Sequence, residues 1–393
     1  MTSNIPLTAS ELGNLWQAYR EKSMMLRVLE YFIEKTNENE AKDILQKVYA
    51  IESKNEQKIK EIFKNEGAVI PTAFNESDVN LNAPPLFDDT YMIMYVRMLS
   101  KVLSGLYTLH EGMSYREDIR DLYMELTTDM QLTYSVTTKH LLEKGVLSRP
   151  PIVLMPKEVD FVNDTNYTNS LNPFRKKRTL NAVEIGLVYQ SLETNVTGMR
   201  LMIGFEQVAK EQDVKKYFTR GKELAKEVIS KMSNLLLDSD IPAPSTWAGI
   251  TTESTISPFS DKLMMYNTNL LSIFGLGSNS IGAAFSFRND LLLNMGSIIA
   301  NTFDFAKDGG TILMKHGWMG GTPAGKKLEL GDPKLFQSCT ITKVLFIQWN
   351  LNILPNFKHT VLAVLNRSKK HNVFVICSLY LTLTKNGIHP FTS

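Results

Sequence analysis

The sequence predicts an all-α protein of two tandem up-down four-helix bundles, followed by a C-terminal tail that does not conform to them. Three observations carry this. Leu7-Thr8-Ala9-Ser10-Glu11-Leu12-Gly13 returns as Leu180-Asn181-Ala182-Val183-Glu184-Ile185-Gly186, and the match runs to Phe32 and Phe205 with 7 identities in 26 positions. Pro71-x-x-Phe74 returns as Pro244-x-x-Trp247 at the same offset of 173, and Ser114-Tyr115-Arg116-Glu117-Asp118 as Ser286-Phe287-Arg288-Asn289-Asp290 at 172. A repeat this long is a duplicated domain, because solenoid periods are about 20–50 residues. Within each copy, apolar residues recur at three-and-four spacing, the period of a helix with one buried face.

Copy one, residues 7–145, reads as four helices. The first runs from Thr8 to about Lys35 on the stripe Leu12, Trp16, Tyr19, Leu26, Leu29 and Phe32, with one missed beat at Ser23. The second carries Ala41, Ile44, Val48, Ile51, Ile59 and Ile62, the third Tyr91, Tyr95, Met98, Val102, Leu106 and Leu109. The fourth carries Ile119, Leu122, Leu126, Met130, Thr133, Thr137 and Leu141 and stops at Gly145, a residue suited to a left-handed helix end. Copy two, residues 180–325, repeats the plan at about 181–209, 212–239, 260–285 and 287–316, with Gly317 matching Gly145. Gly275, Gly277 and Gly282 weaken its third helix and predict a kink or a close helix contact.

Residues 146–179, with Pro150-Pro151, Pro156 and an Asn/Thr-rich stretch, read as an irregular linker. Its Arg175-Lys176-Lys177-Arg178 run reads as solvated rather than as a nucleic-acid patch. Between the second and third helices lie about 21 residues in both copies. At about 3.3 Å per extended residue they can cross the ~40 Å of a long helix. A long segment at the same place twice points to a crossover connection, the path of ferritin-like bundles.

Composition bounds the rest. The chain has 43 Lys and Arg against 41 Asp and Glu, but residues 333–393 hold seven of the cations and no carboxylate. The preceding 332 residues are therefore mildly acidic, which argues against nucleic acid as a partner. Both cysteines, Cys339 and Cys377, fall in the same tail, and no apolar run reaches the ~18 residues of a membrane span. A polar N-terminus predicts no signal peptide, and with it a cytoplasmic location. Within the tail, Val344-Leu345-Phe346-Ile347 and Val373-Phe374-Val375-Ile376 are β-prone, unlike anything before them. Residues 338–393 are thus expected to be foreign to the duplicated fold, the product of a shifted reading frame or run-on translation.

The candidate site residues read as structural: Glu11, Arg116 and Asp118 in copy one, Glu184, Arg288 and Asp290 in copy two. Thr8-x-x-Glu11 and Asn181-x-x-Glu184 have capping-box spacing. Ser114 and Ser286 are expected to cap the fourth helices, with Asp118 and Asp290 favoured by the helix dipole. Arg116 and Arg288 run against that dipole and need an offsetting partner. In a crossover bundle the first and fourth helices start at one end, so Arg116 is predicted to approach Glu11, and Arg288 to approach Glu184. No catalytic or metal-ligating residue is predicted, and no cofactor. A dinuclear carboxylate bundle needs Glu-x-x-His on two helices. Tyr107, Thr137 and Leu313 stand three residues before His110, His140 and His316. His110 reads as a surface or helix-end histidine, and the methionines and aromatics of the stripes as core.

Leu-Thr-x-x-Glu-Leu-Gly-x-Leu-Trp (7–16), the Pro-x-x-Phe loop, Ser-x-Arg-x-Asp before the fourth helix and Met314-Lys315-His316-Gly317-Trp318 together resemble an uncharacterised family. Its members are duplicated ferritin-like helical domains from endospore-forming bacteria, some single-domain relatives being labelled coat-F-like. The resemblance covers about residues 7–325 and implies a non-enzymatic structural or interaction protein of sporulation or the spore coat. It implies coat or sporulation proteins as partners, and the two domains are expected to pack on each other within the chain. The alternative is a ligand-binding or redox bundle whose site is made by helix-lining polar groups.

Overall fold

Eight α-helices follow one another in the computed structural model, which describes residues 5–171, 177–243 and 248–324. They are α1 (Ala9–Lys35), α2 (Asn39–Asn65), α3 (Asp89–Gly112) and α4 (Glu117–Glu143), then α5 (Ala182–Val208), α6 (Gln212–Leu237), α7 (Asp261–Ala284) and α8 (Asn289–Lys315). The described residues contain no β-strand. The tail from 338 onward and the Pro244–Trp247 repeat lie outside them.

Helices pair as α1 with α2, α3 with α4, α5 with α6 and α7 with α8, giving two tandem four-helix bundles. The end-to-end contacts fix the path. Asp89, at the start of α3, accepts the N–H groups of Asn37 (3.3 Å) and Glu38 (3.0 Å) in the α1–α2 turn. Glu11, at the start of α1, accepts those of Tyr115 and Arg116 at the start of α4 (both 2.7 Å). Residues 66–88 must therefore cross the whole bundle, so that α1 runs parallel to α4. Copy two repeats both ties: Asp261 accepts from Lys210 and Glu211, and Glu184 from Phe287 and Arg288.

The crossover is held by polar groups on the helix it covers. Ser23 breaks the apolar stripe of α1 because its hydroxyl accepts the Phe74 N–H at 3.1 Å. Tyr31 donates to Pro84 O (2.6 Å) and accepts the Leu86 N–H (2.9 Å). These bonds satisfy backbone groups that an extended segment would otherwise bury unpaired.

The two bundles pack through these crossovers. Isolated antiparallel bridges join Val79 to Phe259 and Phe87 to Thr251. At the offset of 172, Val79 corresponds to Thr251 and Phe87 to Phe259. Val79 thus meets the equivalent of Phe87, and Phe87 the equivalent of Val79, the pattern of a two-fold interface within one chain. Equivalent residues Tyr95 and Asn267 touch directly, Asn267 Nδ2 donating to Tyr95 Oη at 2.7 Å, so the pseudo-axis passes between them. Phe259 packs edge-on against Tyr31 at 5.2 Å. Its counterpart Phe87 lies on Gly204, the equivalent of Tyr31, so closely that a Cβ there would come within 2.5 Å of the ring. One hydrophobic core runs through both bundles, from Leu15 to Leu313, and a second fills the far end of copy two around Val188, Met232 and Leu291. Among the described residues three ion pairs cross the boundary: Arg97 (3.1 Å) and Lys101 (3.4 Å) to Glu193, and Lys262 to Asp78 (3.1 Å).

Helix α7 runs unbroken through its glycines. Gly282 makes a close approach, where a Cβ would meet Met295 Sδ at 3.3 Å, while Gly275 and Gly277 face open space. Gly67, Gly145 and Gly317 end α2, α4 and α8 with φ of 63°, 69° and 68°. In each, the following N–H returns to the carbonyl five residues back, as in Trp318 N–H to Leu313 O at 2.8 Å. The matching position after α6 is Asp240, which adopts φ 55° without glycine's freedom. Asp240→Gly is expected to stabilise the protein by about 1 kcal/mol, read as a higher urea midpoint at unchanged m-value.

Candidate functional site

Two places in each bundle gather polar groups: the end where the first and fourth helices start, and the centre. At the end of copy one, Thr8 and Glu11 form a reciprocal capping box. The same carboxylate takes Thr8 N–H (2.7 Å), Thr8 Oγ1 (2.8 Å) and the Tyr115 and Arg116 amides. Burial opposes ionisation, but these hydrogen bonds outweigh it and hold Glu11 at about 2. Asn181 and Glu184 build the same box in copy two, and Glu184 is also held below its ordinary value against burial, here chiefly by Arg178.

The arginines meet these glutamates through their backbone N–H groups, not their guanidinium groups. Arg116 instead forks onto Asp118 (3.0 and 2.7 Å) and reaches Ile5 O and Glu66. Arg288, fully buried, forks onto Asp290 (3.0 and 2.6 Å) and reaches Arg178 O and Ser239 Oγ (both 3.0 Å). Each arginine therefore offsets its place at a helix start with the carboxylate two residues on. It also ties the chain before the first helix to the C-terminus of the second. Ser114 and Ser286 do not cap α4 and α8; they donate back to His110 O and Gly282 O, finishing the preceding helices. The amides just ahead of α4 and α8 are taken instead by Glu11 and Glu184, which lie over a hundred residues away and give no local signal.

The linker cations correct another expectation. Lys177 pairs with Asp290 at 3.1 Å, and Arg178 grips Glu184 with two bonds of 2.7 Å while lying 3.9 Å over the Tyr167 ring. Arg175 and Lys176 lie outside the described residues. His110 is not at the surface: it is 3% exposed against Tyr123, and burial pulls it down to about 4.

The centre of copy one is charged. Lys22 Nζ meets Glu52 Oε1 at 2.9 Å, with both side chains fully buried, and lies 4.7 Å from the Tyr107 ring centroid. Beside it Glu21 accepts from Gln17 at 2.8 Å and is pushed up to about 7, chiefly by burial. Asn55 donates to Asp129 at 2.7 Å. No sequence signal marks this cluster, because Glu21, Lys22 and Glu52 look like ordinary surface charges of helices; only the packing turns them inward. Glu52-Ser53-Lys54-Asn55 has the spacing of the dinuclear ligand motif with Asn in place of His, and the ammonium of Lys22 is already paired with its carboxylate. These residues do not fit a di-iron or di-manganese centre. Elsewhere Glu38, Glu40 and His140 bring ligand atoms within 4.8 Å of one another at the bundle end, but Glu38 is bound by Lys144.

The centre of copy two is uncharged. The equivalents of Glu21, Lys22, Glu52 and Tyr107 are Thr194, Asn195, Ala225 and Asn279. In their place is a cavity of about 110 Å³ among α5, α6, α7 and α8, closed on one side by Met98 and Val102 of α3.

The DUF3231 model, described as a protein of unknown function, matches residues 1–159 and again 168–327. The chain belongs to this family. A crystal structure from Bacillus halodurans C-125, described as a "putative spore coat protein", is similar at 17% identity and a TM-score of 0.36. It covers 39% of this chain and 100% of that one. No curated protein matches. Among the described residues no helix is long and apolar enough to cross a membrane.

Two measurements test the charged centre of this DUF3231 member. Lys22→Met should cost about 3–5 kcal/mol by leaving Glu52 buried without its cation, and Lys22→Met/Glu52→Leu should recover most of it in urea unfolding. Glu21 holds its proton in the fold to about pH 7 but releases it near 4.5 when unfolded. Its contribution is therefore full below pH 4.5 and is lost as pH rises to 7. Glu21→Gln should flatten the stability profile over that window and be more stable than the parent at pH 8.

Proposed function

We propose that this protein is a non-enzymatic structural or interaction protein of ferritin-like path, with domains at 7–145 and 180–325. The observation that supports this is the Lys22–Glu52 pair at the centre of copy one. Ferritin-like enzymes place carboxylates and imidazoles around cations there. Here a lysine ammonium is the cation, fixed to the chain and unable to exchange or change oxidation state. The charge-ordered ends and the continuous core serve rigidity, which suits a building block. We place its role in sporulation or the spore coat on the strength of the sequence motifs shared with coat-F-like domains, with other coat or sporulation proteins as partners.

Protein isolated from sporulating source cells should carry no stoichiometric iron, manganese or zinc by elemental mass spectrometry and should fractionate with coat material. Iron or manganese at one or two atoms per chain, lost in Glu52→Ala, would remove the structural reading. Exclusion from coat fractions would remove its setting.

A further inference from the structure

We infer that the cavity at the centre of the second bundle is a binding site for a compact, uncharged aliphatic alcohol. This goes beyond the structural role, since it concerns a site that the first bundle lacks. Three observations carry it.

The first is that the cavity is made by substitutions at matched positions. Met25, Val48, Glu52, Leu103 and Tyr107 of copy one become Gly198, Gly221, Ala225, Gly275 and Asn279, and all five replacements line the cavity. Every one removes volume. At Gly221 the neighbours have closed in, a Cβ there coming within 2.7 Å of the Phe305 ring, and Phe274 and Phe305 are larger than their counterparts Val102 and Thr133; the volume stays open at Gly198, Ala225, Gly275 and Asn279, on three helices.

The second is that two of the glycines keep space open without needing glycine's backbone. Gly198 and Gly275 sit inside α5 and α7, and a Cβ at either would meet no atom within 4 Å. Alanine would favour the helix at both places. Glycine there serves the empty volume.

The third is the chemistry of the wall. No charged side chain lines the cavity. Its apolar surface comes from residues such as Met98, Met202, Leu271 and Phe305. On the polar side, Asn195 spends its amide nitrogen on Ser191 O at 2.8 Å, which leaves its oxygen as an acceptor for an O–H. Asn279 also donates to Gly275 O at 2.8 Å, but its oxygen already accepts from Ser191 Oγ at 3.0 Å, so Asn195 is the acceptor that the cavity offers. An apolar body with one hydroxyl donor matches this wall, and a carboxylate would be desolvated without a cation to meet it. About 110 Å³ is somewhat smaller than the cavity of roughly 150 Å³ that accepts benzene in an engineered protein core. The ligand is therefore of about four to six heavy atoms.

The test uses the full chain with its methionine methyl groups labelled with carbon-13. Isobutanol is titrated, with isobutyrate as a charged molecule of similar shape. Isobutanol should shift the Met98 and Met202 methyl signals saturably while leaving Met130, at the matching centre of copy one, unmoved. Gly275→Leu, which restores the copy-one residue, should keep the helical circular dichroism and weaken isobutanol binding at least about tenfold, a change of 1.4 kcal/mol. Should that variant fail to fold, Gly198→Met makes the same test from another helix. Absence of saturable shifts, equal binding by a folded filled variant, or binding of isobutyrate as tightly as isobutanol would each overturn the inference.

Discussion

The fold depends on a carboxylate that serves two helices at once. Glu11 closes the capping box of α1 and, through its other oxygen, takes the two amides just ahead of α4. That places the starts of α1 and α4 at one end, and the crossover of 66–88 follows as the only way for the chain to connect α2 to α3. Glu184 imposes the same geometry on copy two. The crossovers then meet across the pseudo-axis and join the bundles. A helix start left with unpaired N–H groups would be costly when buried. The glutamate pairs buried amides at both helix starts together, an arrangement that both copies keep although they now share few residues.

Much of this was legible in the sequence, for physical reasons. Helical periodicity and the matched glycines at 145 and 317 are local signals, and the helices end where those glycines adopt positive φ. Crossover topology could be read from segment length because distance along a helix is simple arithmetic. The capping boxes were legible because Thr8 and Glu11 are three residues apart. What failed was non-local. Ser114 and Ser286 have the composition of N-caps, but the amides they would cap were already taken by glutamates far off in sequence. Arg116 and Arg288 stand near Glu11 and Glu184 as the topology requires, yet a neighbouring aspartate draws their guanidinium groups away. The Lys22 cluster was invisible because a charged triplet on a helix looks the same whether it faces water or a bundle centre. Ser23, noted only as a gap in a stripe, is the anchor of the crossover.

Duplication let the copies diverge where divergence is safe. The ends stayed alike, with Glu11 and Glu184 bonding the amides ahead of α4 and α8 in the same way. The centres moved apart: one is a buried ion pair, the other a void. Both are costly to a small bundle. An ion pair must be desolvated, and a cavity leaves the side chains that line it without partner atoms on one side. A shared core running through both bundles supplies the stability that permits such features.

The Tyr95–Asn267 bond has a consequence for ancestry. In a dimer of identical subunits, whatever lies on the symmetry axis faces itself, so tyrosine would confront tyrosine. An unlike pair can arise there only after the two subunits share one gene and mutate separately. Once such a pair exists, the halves lose their interchangeability: a dimer of either half alone would set Tyr95 on Tyr95 or Asn267 on Asn267 and forgo the unlike pair. The fusion is in that sense a ratchet, and this hydrogen bond is one of its teeth.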